Sequence, residues 1–182
     1  MPAAPGKGQA SQRLFFALWP NAKLQTALHV AGQRLQETFG GRVVRTENIH
    51  MTLAFLGSIP AERFDELLGI GGAIRTKSFE LKLTEMGCWK RSAVGWIAPE
   101  SLPEPLTNLV LELRRRLLAA GFRVDDKPFA AHVTLLRKAK CRPQPARQQA
   151  PLEWCIDHFV LMRSDTLPDG PQYSQLATWP LS

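Results

Sequence analysis

One succession occurs twice in this chain: strand, proline, long helix, then a strand that opens on histidine. No other feature restricts the fold as much. The first copy starts with the apolar, aromatic stretch 13–19, closed by Pro20. Leu24, Ala27, Leu28, Ala31 and Leu35 then recur at helical spacing over about 21–39, and Gly40 and Gly41 stop that helix. A short extended piece at 42–45 leads to a strand over about 49–55, ended by Gly57. The second copy has a strand at 93–98 closed by Pro99, then a helix over about 104–120. Leu106, Leu109, Val110, Leu113 and Leu117 line its inner face, Gly121 caps it, and a strand follows from 131. Pro20 to His50 is 30 residues and Pro99 to His132 is 33. The pattern implies a structural duplication, two lobes related by an approximate two-fold around one cleft. A helix at 61–68, a strand at 79–86 and tail strands near 155–163 and 173–179 complete the reading.

The two histidine strands carry the same four residues, His50-Met51-Thr52-Leu53 and His132-Val133-Thr134-Leu135. Side chains alternate along a strand, so His50 and Thr52 share one face while Met51 and Leu53 share the other; the second copy repeats this. With ten Thr and twenty-five Leu in 182 residues, a given His precedes x-Thr-Leu by chance with probability about 0.008, and two of four do so with probability about 0.0004. A lone copy is best read as a half-buried strand whose His is satisfied by a carbonyl. The duplication reverses that reading. His29, on a helix, and His158, in a tail strand, share no motif and read as structural.

Length and an apolar content of 45% suit one domain over 13–182, and residues 1–12, which lack a hydrophobic stretch, read as a flexible leader. No run approaches the roughly 20 apolar residues of a membrane span. Cys88, Cys141 and Cys155 are odd in number and form no C-x-x-C pair, which implies a reduced cytoplasmic setting without disulfides or a zinc ribbon. A net charge of +7 favours a polyanionic partner, nucleic acid first. The segment 137–147, with Lys138, Lys140 and Arg142 among prolines, reads as a basic loop able to touch a phosphate backbone. Arg114, Arg115 and Arg116 read as a solvated helix face.

Two imidazoles across a cleft suit general acid–base catalysis, since near pH 7 one can be neutral and the other charged. Two threonine hydroxyls beside them can donate hydrogen bonds to a developing oxyanion. A phosphodiester matches this layout, with two non-bridging oxygens for two hydroxyls and attacking and leaving oxygens for two bases. The chemistry asks for no metal or other cofactor, and no carboxylate or thiolate stands at ligand spacing. Residues 69–74 begin like a glycine fingerprint but follow a helix, and neither a phosphate-loop lysine motif nor a G-x-S-x-G elbow is present. The five tryptophans read as packing, although Trp89 and Trp154 fit a base-stacking role equally.

These paired motifs resemble the twin His-x-Thr-x signature of the two-histidine phosphoesterases, and among them the RNA 2′,3′-cyclic phosphodiesterases long named 2′-5′ RNA ligases. The likeness extends to residues 13–18, 48–57 and 128–137, and covers the chain from about Arg13 to Trp179. It implies an α+β, bilobal fold, each lobe an antiparallel sheet with outer helices and an active-site cleft between them. It also implies metal-independent hydrolysis of a 2′,3′-cyclic phosphate to a 2′-phosphomonoester. His50 would be the proton donor, His132 the proton acceptor, and Thr52, Thr134 and Arg137 the substrate-binding residues. Strict alternation turns Arg137 away from His132, so it reaches the cleft only if the strand ends or bulges near Leu136. The expected partners are RNA ends or cyclic nucleotides, with no membrane and no obligate protein partner, the chain acting as a cytoplasmic monomer. The reverse reaction, ligation through a 2′-5′ linkage, uses the same residues. A non-catalytic RNA-binding module is the alternative from another class; it would have lost at least one of the four motif residues, and all four are present.

Overall fold

Residues 11–143 and 146–182 are described by the structure, a computed structural model. The apolar stretch after the leader forms β1 (Ser11–Leu18), which begins two residues earlier than expected because Ser11 and Gln12 pair with Pro60 and Ile59. The rest of the expected leader lies outside the described residues. Helix α1 (Ala22–Phe39) starts where Asn21 Oδ1 accepts the Leu24 N–H at 2.9 Å, an N-cap that satisfies an otherwise free amide. A two-residue strand β2 (Arg42–Val43) precedes β3 (Met51–Pro60), and α2 (Phe64–Gly72) follows a 3-10 turn at Ala61–Arg63. Next come β4 (Phe79–Trp89), β5 (Val94–Pro99) and α3 (Glu104–Ala119), whose buried residues are the four leucines and Val110 expected from periodicity. Then follow β6 (Val133–Arg137), β7 (Arg147–Ile156), β8 (His158–Leu167) and β9 (Gly170–Pro180). The tail stretch expected as one strand at 155–163 is two, broken at Asp157.

The strands form two antiparallel sheets, ordered β3-β1-β8-β9 and β2-β6-β5-β4-β7. In each, the strand carrying a histidine motif pairs with the strand that opens its copy of the repeat, β3 with β1 and β6 with β5. The duplication expected from the chain's order is therefore present as two sheets of matching order.

The helices are exchanged between them. Helix α1 leaves β1 but packs on the sheet of β6, β2 and β5, close enough that a Cβ on Gly32 would meet Val43 and Leu135. Helix α3 leaves β5 but packs on β3 of the four-stranded sheet, beside α2, which reaches β9. One continuous apolar core joins both sheets, from Leu14, Phe16 and Phe159 to Leu81, Leu83 and Leu135.

Cys88 and Cys141 form a disulfide, their Cα atoms 5.4 Å apart, and Cys155 is free. This corrects the disulfide-free expectation. The end of β4 and the loop after β6 are 53 residues apart in the chain, and only the pairing of β4, β5 and β6 brings them together.

Candidate active site

Each motif histidine sits one residue before its strand, where pairing begins. His50 Nδ1 donates to the Asn48 carbonyl at 2.7 Å, and His132 Nδ1 donates to the Ala130 carbonyl at 2.7 Å. A carbonyl can only accept, so the neutral ring carries its hydrogen on Nδ1 and leaves Nε2 unprotonated. In both copies the anchor is the carbonyl two residues upstream. The Thr52 hydroxyl lies 3.1 Å from His50 Nε2 and donates to it in this state. Met51, Leu53, Val133 and Leu135 are buried behind the motif while Thr52 and Thr134 are half-buried, as alternation requires.

The leucine closing each motif is a bulge. Thr52 pairs with Ala17 and Ala54 with Phe16, which leaves Leu53 without a partner on β1. Thr134 pairs with Trp96 and Leu136 with Gly95, which leaves Leu135 without one on β5. An extra residue reverses the alternation beyond it. Arg137 is thereby returned to the cleft side with Thr134, as the expectation for it required. A second bulge at Leu56, beside Gly57 at φ 73, lets β3 run on to Pro60 rather than stop. Phe55, five residues after His50 as Arg137 is after His132, is 48% exposed and lies under the Arg13 guanidinium, 5.3 Å from its centroid.

Aromatic rings enclose His50. Trp19 stacks on it at 5.0 Å and 7°, Phe15 lies 5.1 Å away, and Tyr173 meets it edge-on at 5.2 Å. Among the described residues His132 meets one aromatic ring, Trp89, edge-on at 4.6 Å. Burial holds the His50 pKa down at about 4, against the opposing Asn48 hydrogen bond and helped by the charges of Arg137 and His132. Burial lowers His132 as well, opposed by its bond to Ala130 and reinforced by Arg137. Burial raises the Tyr173 hydroxyl, which Arg137 and Arg13 pull back.

Two cavities meet at His50, Arg137 and Tyr173. One, of about 480 Å³, extends past Thr134 toward Arg42, Arg45 and Lys138. The other, of about 330 Å³, holds Thr52, Phe15, Phe55 and Arg13. The structure thus gathers His50, Thr52, Thr134 and Arg137 into the walls of one cleft. His132 stands outside both cavity walls, close enough for its charge to act on His50. Among the described residues no group of three His, Cys, Asp or Glu is placed to hold a metal ion.

A family model described as LigT like Phosphoesterase matches the chain twice, over residues 18–96 and 97–173. The chain belongs to the LigT-like phosphoesterase family. It is 33% identical over 175 residues to the RNA 2′,3′-cyclic phosphodiesterase of Escherichia coli (strain K12), covering 94% of this chain and 97% of that one. The enzyme of the same name from Thermus thermophilus is 30% identical, with 93% and 90% covered. The crystal structure of E. coli LigT complexed with 3′-AMP superposes with a TM-score of 0.87 at 32% identity, over 95% of this chain and 99% of that one.

In this LigT-like phosphoesterase several site residues escape a reading by motif. Trp19 reads in the sequence as the end of an apolar strand, and its contact with His50 depends on the β1–β3 register, which pairs Leu18 with Met51. Tyr173 belongs to a hairpin distant in sequence. Its turn is tied to the histidine segment by Arg45 Nη2 donating to the Asp169 carbonyl and Asn48 Nδ2 donating to the Pro171 carbonyl, both at 2.8 Å. A signal for Asn48 does exist, since it stands two residues before a motif histidine. Trp89 packs against His132 and Trp96, whereas Trp154 is buried in the core.

Proposed function

We propose that this chain hydrolyses the 2′,3′-cyclic phosphate at RNA ends to a 2′-phosphomonoester, with His50 and His132 as its acid–base pair. The observation that carries the reading is their matched anchoring: each Nδ1 is tied to a carbonyl, each Nε2 is left for chemistry, and a threonine hydroxyl stands two residues on. The names of the relatives support the substrate class. His132 Nε2 takes a proton from water as its oxygen attacks phosphorus. The P–O3′ bond breaks with its electrons on the 3′ oxygen, which takes a proton from His50 Nε2. Thr52 and Thr134 donate to the non-bridging oxygens, and Arg137 offsets the growing negative charge.

The depressed pKa of His50 fits a donor that loads on binding. A phosphate anion beside the ring offsets the cost of charging it, so the substrate itself brings His50 to the protonated form. Once Nε2 is protonated it no longer accepts from Thr52, and that hydroxyl turns to a phosphate oxygen. All five residues come from one chain, which supports a monomer without an obligate protein partner. No helix among the described residues is long and apolar enough to cross a membrane. An RNA-end substrate supports the cytoplasm.

The test is incubation of the protein with a short RNA ending in a 2′,3′-cyclic phosphate, in EDTA, with the 2′- and 3′-phosphate products resolved. The 2′-phosphate alone is expected. His50→Ala and His132→Ala should each lower turnover by about 10² or more with circular dichroism unchanged. Full activity in either variant would sink the assignment, and binding without turnover in the unaltered protein would favour an RNA-binding module.

A further inference from the structure

Arg42 and Arg137 are directly paired across β2 and β6. Opposed residues of an antiparallel pair put their side chains on one face, with Cβ atoms about 5 Å apart, and like charges there are destabilising. The backbone enforces this pairing. Gly41, at φ 84, lets β2 approach so closely that a Cβ there would lie 2.7 Å from the Arg137 carbonyl. Lys138 follows in a left-handed conformation, φ 56, which a lysine rarely adopts. That turn breaks the alternation, so consecutive side chains 137 and 138 line the same cavity. Arg45 lines it too and holds the Asp169 carbonyl. The one carboxylate residue in this wall is Asp169, and among the described residues neither Arg42, Arg137 nor Lys138 forms an ion pair. Four cations held on one cavity wall, two of them in a repulsive pairing and one on strained backbone, are the arrangement of a site whose anion supplies the missing counter-charge.

We propose that this basic chamber, led by Arg42 and Lys138, binds the phosphodiester that joins the terminal nucleotide of the RNA to the one before it. This rests on the phosphodiesterase reading above. Arg137 stands where the two cavities meet, so a cyclic phosphate held near His50 has its chain continuing past Arg137 toward Arg42 and Lys138. Beyond the shared Arg137, the other cavity adds Arg13 alone as a cation, and it is already stacked on Phe55. The enzyme therefore prefers an RNA end to a lone cyclic nucleotide.

The experiment compares kcat/KM on three substrates: a nucleoside 2′,3′-cyclic phosphate, a dinucleotide ending in the same group, and that dinucleotide with an uncharged methylphosphonate linkage. The enzymes are the unaltered protein and the double variant Arg42→Gln, Lys138→Asn; asparagine tolerates the left-handed backbone at 138. The unaltered protein should favour the charged dinucleotide over the other two by about tenfold or more, the scale of a charge-assisted phosphate contact. The double variant should treat all three alike, with its rate on the lone nucleotide unchanged and its salt dependence on the dinucleotide shallower by about one per lost contact. Arg42→Gln alone should melt no lower than the unaltered protein, because it removes a repulsion; a merely structural arginine would cost stability. Equal rates of the unaltered protein on all three substrates would overturn the proposal, as would a variant that loses rate on all equally. No turnover of any of them would overturn the phosphodiesterase reading and this one with it.

Discussion

The His50 imidazole lies parallel to the Trp19 indole, ring centroids 5.0 Å apart and planes 7° apart. That contact excludes water from one whole face of the imidazole, and burial is the largest cause of its low pKa. Replacing Trp19 with Leu opens that face, so the His50 pKa should rise toward 6.5. The kcat/KM profile against pH, which reports the free enzyme, should show one limb displaced to higher pH, and Trp19→Phe should restore it. Stability gives a second readout. With pKa about 4 folded and 6.5 as the reference value, the unfolded chain binds the extra proton between those values. Stability is thus unaffected above about 6.5, falls as pH drops from there, and takes no further loss from this group below about 4. The difference in melting temperature between the unaltered protein and His50→Gln across that window should show it.

The kcat profile should lie at higher pH than the kcat/KM profile. Both histidines are depressed in the empty site by burial and by Arg137, and a bound phosphate anion opposes both effects. Coincident profiles on a cyclic mononucleotide would contradict substrate loading of His50.

Thr52→Val and Thr134→Val remove one hydroxyl each while keeping the β-branched shape. Either should lower kcat by about 10², the usual cost of one oxyanion donor, with little change in melting temperature. Thr52→Val should also raise the His50 pKa slightly, because its hydroxyl donates to Nε2 in the neutral form. Steady-state kinetics with a proton NMR titration of the imidazoles tests both parts.

Gly41→Ala places a Cβ against the Arg137 carbonyl and on backbone at φ 84. The strain should cost about 1–3 kcal/mol, read by urea denaturation. Because the displaced strand carries Arg42 and faces Arg137, KM for an RNA-ended substrate should rise more than kcat falls.

Reduction of the Cys88–Cys141 bond, or Cys141→Ser under oxidising conditions, should lower stability by about 2–4 kcal/mol, since the bond closes a 53-residue separation. Equal melting curves with and without reductant would contradict the pairing.

Much of the local structure is legible in the sequence. Periodicity located α1 and α3 to within two residues, and the spacing of His50 and Thr52 established which side chains meet. Features that depend on pairing were not legible. Gly57 reads as a stop in one dimension, yet on an extended partner strand it flanks a bulge at Leu56. The reach of Arg137 could be stated only as a condition, because the bulge at Leu135 is a property of β5 and β6 together. Cys88 and Cys141 meet through two intervening strands, and Trp19 finds His50 through the register of β1 on β3. The exchange of α1 and α3 is likewise tertiary: each has an ordinary apolar stripe, and nothing in the stripe says which sheet it will cover.

That exchange determines how the enzyme can move. Since each helix is strapped to the sheet opposite the strand it leaves, the lobes cannot swing apart without stripping both helices from their cores. The cleft is a rigid slot rather than a jaw. The β8–β9 turn on its wall is itself tied to the histidine segment by two side-chain hydrogen bonds, from Arg45 and Asn48.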